Sequence, residues 1–137
     1  MFPCKPGSQE RRLQLAGAPV SITLHACSAG SMTFALAVGD VQEVERVVPA
    51  LVQLRESAQR NVGGAAQVLA LPRVDGMTPQ PQTQRLLLEG RLPDGEAVRE
   101  QVLVFSRGTR VYQASVLGRA LDPEAADAFL GSIRLRS

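Results

Sequence analysis

The chain reads as an α+β domain: an antiparallel sheet of about five to seven strands packed with two helices, near residues 42–61 and 123–131. Three observations predict this. Apolar residues recur at period two over most of the chain, the mark of half-buried strands. The period changes to helical spacing after Gly39-Asp40 and again after Asp122-Pro123. Most connections are short, which favours antiparallel pairing over the long crossovers of a parallel sheet.

Residues 1–10 are polar, hold Pro3, Pro6 and Gly7, and read as a loop or edge segment. Leu13 and Leu15 start an alternation, and Gly17-Ala18-Pro19 reads as a turn. Val20, Ile22, Leu24 and Ala26 then share one face, with Ser21, Thr23, His25 and Cys27 on the other. Met32, Phe34, Leu36 and Val38 repeat the pattern beyond Gly30, so the two segments form a hairpin. Asp40 and Glu43 have the spacing of a capping box. Val44, Val47, Val48, Leu51, Leu54 and Ala58 follow helical spacing. Pro49 means either that a helix starts near it after a separate turn at 41–47 or that the helix kinks there. The favoured reading is a helix over 42–61 with a break or kink at Pro49. Residues 61–64 supply the stop.

Ala66–Leu71 is a short apolar run, followed by a Pro- and Gly-bearing connection over 72–82. Thr83–Leu92, Ala97–Ser106 and Thr109–Gly118 predict a three-stranded meander, turned at Pro93-Asp94-Gly95 and Arg107-Gly108. Asp122 as N-cap with Pro123 at the first position opens the final helix. Ala126, Phe129 and Leu130 form its apolar stripe, and Ile133 with Leu135 reads as a short closing strand. Packing both helices on one face of the sheet would cover both stripes.

The 137 residues fit one domain, taken here as 1–137. An apolar fraction of 45% is that of a globular chain. Fifteen basic residues against thirteen acidic ones, scattered along the chain, make no concentrated basic face, so no nucleic-acid partner is expected. No apolar run approaches the ~18 residues of a membrane-spanning helix. Met1-Phe2-Pro3-Cys4-Lys5-Pro6 has no basic stretch followed by an apolar one, so no signal peptide is read in it.

No residue pattern carries a catalytic, cofactor or metal signature. His25 is the only histidine and has neither an orienting carboxylate nor a nucleophile in a local motif. Its shared face with Cys27 makes a Cys–His dyad conceivable. Cys4 and Cys27 permit one bridge, closing a loop of about 22 residues, or stand as two separate thiols. With a single histidine they make no zinc site. Gly63-Gly64 lacks the Lys-Ser/Thr of a phosphate loop and reads as a helix stop. Met77 is read as filling a core gap. Glu43 with Glu45, and Asp94 with Glu96, serve as capping and turn residues. Tyr112, with four phenylalanines and no tryptophan, is too little for a stacking platform on single-stranded nucleic acid.

Arg110-Val111-Tyr112-Gln113-Ala114, Leu117-Gly118, Asp122 to Ala126 and Phe129 to Leu135 together resemble a family of uncharacterised exported proteins of Gram-negative bacteria. Phe2-Pro3-Cys4-Lys5-Pro6 with Cys27, Gly76-Met77-Thr78-Pro79, and Gly90-Arg91-Leu92-Pro93-Asp94-Gly95 fit the same resemblance. The family is similar to the PsbP-like and DcrB-like α/β/α sandwich group, whose members are mostly accessory or chaperone-like binding proteins. The resemblance implies a periplasmic or otherwise exported domain. In that oxidising compartment it also implies a Cys4–Cys27 disulfide. It supplies no active-site residues.

The expected function is therefore a non-enzymatic, exported accessory domain that binds a protein partner. Two alternatives stand beside it. One is a small-ligand or lipid-binding module with a pocket between the sheet and the helix at 42–61. The other is a cytosolic secretion chaperone of the DcrB-like type.

Overall fold

A computed structural model describes residues 2, 4–63, 65–69, 76–78, 82–91, 93–119 and 121–133. The elements run β1 (Gly7–Leu15), β2 (Ala18–Ala29), β3 (Met32–Asp40), a 3-10 turn (Val44–Arg46), α1 (Val47–Val62), β4 (Ala65–Leu69), β5 (Gln84–Arg91), β6 (Ala97–Arg107), β7 (Arg110–Gly118) and α2 (Pro123–Gly131). The seven strands form one antiparallel sheet in the order β1-β2-β3-β7-β6-β5-β4. Two local runs, β1-β2-β3 and the β5-β6-β7 meander, meet where β3 pairs with β7, for example Phe34 opposite Val116. β4 adds to the far edge beside β5.

The helices lie on opposite faces of the sheet, not on one. The alternation in β6 shows why. Val98, Val102 and Val104 belong to the core beneath α1, whereas Leu103 and Phe105 belong to the core beneath α2. Every residue from Gln101 to Ser106 is buried, and a strand apolar on both faces demands cover on both. β7 divides likewise, with Val111 toward α1 and Tyr112, Ala114 and Val116 toward α2.

The helix expected over 42–61 is corrected at its start. A 3-10 turn covers Val44–Arg46, and α1 begins only at Val47. Pro49 then falls in the first helical turn, where backbone N–H groups have no intrahelical partner, so it needs no kink. Asp40 does not cap the helix. It ends β3, and its carboxylate accepts from Gln42 N at 2.8 Å and Thr109 Oγ1 at 2.8 Å. Val44, assigned to the apolar stripe, is 73% exposed because it precedes the helix. At the other end Gly63 takes φ 72° and donates to Gln59 O at 2.9 Å, the expected stop.

Three smaller differences concern the strands. The segment read as a loop or edge becomes strand β1 from Gly7, paired along its length with β2. The first turn is Ala16-Gly17, both at positive φ, so Ala18 and Pro19 already belong to β2. Ile133 is buried but in no strand, and residues 134–135 lie outside the described residues, as does most of the 72–82 connection. α2 begins as expected, with the Asp122 carboxylate accepting from Glu124 N at 3.0 Å and Pro123 at the first position.

Candidate functional site

α1 packs over β5, β6 and β7, and reaches β1 near the β1–β2 turn. A helix with side chains is about 10 Å across and strands are spaced about 4.8 Å apart, so one helix covers only two or three strands. The same face of β1, β2 and β3 is therefore left incompletely covered, and a groove of about 440 Å³ lies there. Its floor is Leu13 and Leu15 of β1, Ile22 and Leu24 of β2, and Ala37 of β3. Leu54, Ser57, Ala58 and Asn61 of α1 form one wall.

Local chemistry closes one end. The Gln53 side chain donates from Nε2 to Gln14 O at 2.8 Å and accepts at Oε1 from Ala16 N at 2.9 Å. Ala16 takes φ 53° in the turn, which turns its N–H toward the helix side chain. Beyond the other end, a separate shallow depression beside Gly7, Gln9 and Ala26 shares Leu24 with the groove. Leu13 stays 47% exposed at the groove. Among the described residues Arg11 is the one charged side chain lining the groove, and its guanidinium donates to Gln9 Oε1 at 3.2 Å.

The opposite face carries the aromatic core beneath α2. Phe2 and Phe34 both pack on Phe129, with ring centroids 5.0 and 5.3 Å away. The Cys4–Cys27 disulfide, with Cα atoms 6.0 Å apart, staples the N-terminal segment over that face. Arg85 of β5, mostly buried, donates to Gln101 Oε1 and to the Asp127 carboxylate, tying α2 to the sheet.

The residues considered for chemistry do not assemble into a reactive centre. His25 Nδ1 lies 2.7 Å from Ser8 Oγ, and Cys27 is bridged, so the conceivable Cys–His dyad has no thiol. Glu43 pairs with Arg46 within the 3-10 turn. The Asp94 carboxylate accepts from Glu96 N at 2.9 Å, and Glu96 pairs with Arg119 at 2.7 Å. Tyr112 stacks on Phe105 in the core, and Met77 packs against the same cluster. No group of metal-ligating side chains occurs among the described residues. No helix of the described residues is long and apolar enough to cross a membrane.

Sequence reasoning took Arg11 as one of the scattered arginines and Gln53 as part of the polar helix face, and passed over Glu100. Glu100 interrupts the apolar register of β6 on the α1 side, opposite Leu88 on one strand and Leu117 on the other. Burial pushes its carboxyl from 4.5 up to about 7. The signal was a lone carboxylate on the core-facing register between Val98 and Val102. Gln53 gave no such signal, because a polar residue on a helix is ordinarily a solvated one. No protein-family model matches the chain, and no curated protein matches it at a significant level.

Proposed function

We propose that this is a non-enzymatic, exported accessory domain that holds a small apolar ligand in the groove between α1 and β1–β3. The observation that carries the reading is the groove itself. It has an aliphatic floor, a polar rim, and a volume within the roughly 300–1,000 Å³ of small-molecule sites. The Cys4–Cys27 bridge supports export, because such bridges persist in oxidising compartments, and it weighs against the cytosolic-chaperone reading.

The chain has no tryptophan, so Leu24→Trp places a single indole reporter on the groove floor. Titration with an uncharged apolar dye is expected to shift its emission. A plug, Ser57→Phe on the α1 wall, is expected to abolish the shift while leaving the thermal transition in place. An emission that stays unchanged on titration, or binding that survives the plug, refutes the reading.

A protein-contact reading rests on a different place. Val44 in the 3-10 turn and Val48 in the first turn of α1 are 73% and 40% exposed. Two exposed valines at the helix start suit a partner's apolar surface. Replacing both by aspartate is expected to remove partner association and leave dye binding in the groove intact.

A further inference from the structure

We infer that the groove takes a long-chain fatty carboxylate, with the acyl chain on the aliphatic floor and the head group on Arg11. This inference rests on the groove reading above and specifies its ligand. The floor is built from leucine, isoleucine and alanine, and no aromatic ring lines it among the described residues. Recognition of a flat ring system ordinarily uses stacking, so this lining suits a flexible aliphatic chain. A second depression, beside Gly7 and Ala26, also adjoins the groove along β2. Leu24 belongs to both, so a linear chain can continue along β2 where a compact ligand would stop.

The head group follows from charge. Arg11 is the one charged side chain of the lining, and among the described residues no carboxylate pairs with it. The other polar lining groups, Gln14, Ser57, Asn61 and Gln113, are neutral. A guanidinium fork matches one carboxylate through two parallel N–H···O bonds. One cation balances a monoanion, whereas a phosphate monoester carries a charge near −2 and would call for a second cation. A cationic head group would meet Arg11 with repulsion.

The test is calorimetry on the whole chain with four amphiphiles of one tail length, below their micellar concentrations: dodecanoate, dodecyl phosphate, dodecanol and dodecyltrimethylammonium. Dodecanoate is expected to bind about ten- to a hundred-fold more tightly than dodecanol, the range of a charge-assisted contact. Arg11→Gln is expected to erase that preference, and Arg11→Lys to keep part of it. Arg11 is exposed, so both variants should fold, and a thermal melt confirms it. Equal binding of dodecanoate, dodecanol and dodecyltrimethylammonium overturns the head-group assignment while the groove reading stands. Tighter binding of dodecyl phosphate than of dodecanoate overturns the carboxylate. Failure of every amphiphile, together with failure of the uncharged dye, overturns the groove reading itself.

Discussion

The carbonyl oxygen of Val62, the last residue of α1, sits so close over Gly90 of β5 that a β-carbon on Gly90 would lie 2.1 Å from it. The helix end therefore rests directly on the strand backbone. Glycine is required here by space alone, since the nearest atom belongs to main chain that has little room to yield. The contact sets how deeply the C-terminal half of α1 sinks onto the sheet, and Ser57, Ala58 and Asn61 of that half wall the groove.

Gly90→Ala should destabilise the fold by about 1–3 kcal/mol, the range for an overpacked core position. The check is a urea midpoint shift at unchanged slope. Because the helix end must lift, dye binding in the groove should weaken as well. A variant as stable as the parent chain would show that α1 is not seated as described.

Reduction of the Cys4–Cys27 bridge should lower stability by about 3 kcal/mol, the chain-entropy value for a loop of about 22 residues. The same treatment frees the segment that brings Phe2 to Phe129. Denaturant melts with and without a dithiol measure the first effect. Proteolysis ahead of Gly7, fast only after reduction, measures the second.

Gln53→Ala should cost about 1–2 kcal/mol, since it removes two hydrogen bonds to the β1–β2 turn. Its distinctive signature is local. Amide exchange at Ala16 should accelerate far more than exchange in β6, because the lost acceptor belongs to that N–H alone.

Glu100 should make stability fall with rising pH. Its carboxyl binds a proton more tightly folded than unfolded, so its contribution is complete below about pH 4.5. It is lost as the pH rises toward 7, where the folded group titrates. The loss is on the order of 3 kcal/mol, the linkage equivalent of a carboxyl raised from 4.5 to about 7. Glu100→Gln should match the parent chain at pH 4 and exceed it at pH 8. Parallel stability–pH curves for the two proteins would refute this.

Ser106 is 1% exposed, and its hydroxyl has no hydrogen-bond partner among the described residues. Ser106→Ala should raise the melting temperature by a few degrees, because a buried unmet hydroxyl costs about 1 kcal/mol or more. A lowered melting temperature would mean that the hydroxyl makes an interaction after all.

Local pattern made much of the architecture legible. Period-two alternation marked β2, β3, β5, β6 and β7 to within a few residues, because alternation is the direct record of a strand with two different faces. Asp122-Pro123 set the start of α2, and Gly63 the end of α1, because caps act through neighbouring backbone groups. The β1 strand was partly hidden. Gln9 to Arg12 are all polar, and an edge strand half in solvent needs no apolar alternation. At the start of α1 the favoured reading failed, because Val44 falls on the apolar stripe by spacing; Pro49 was the signal for the other reading, a separate turn before the helix.

The sequence by itself therefore determined the kinds of element, their order and most of their ends, since each depends on contacts within a few residues. The tertiary structure alone decided that β3 joins β7, that the helices take opposite faces, that Gln53 reaches Gln14 and Ala16, and that a groove stays open beside α1. Those outcomes rest on contacts between residues tens of positions apart, and on one helix being too narrow to cover a seven-stranded sheet.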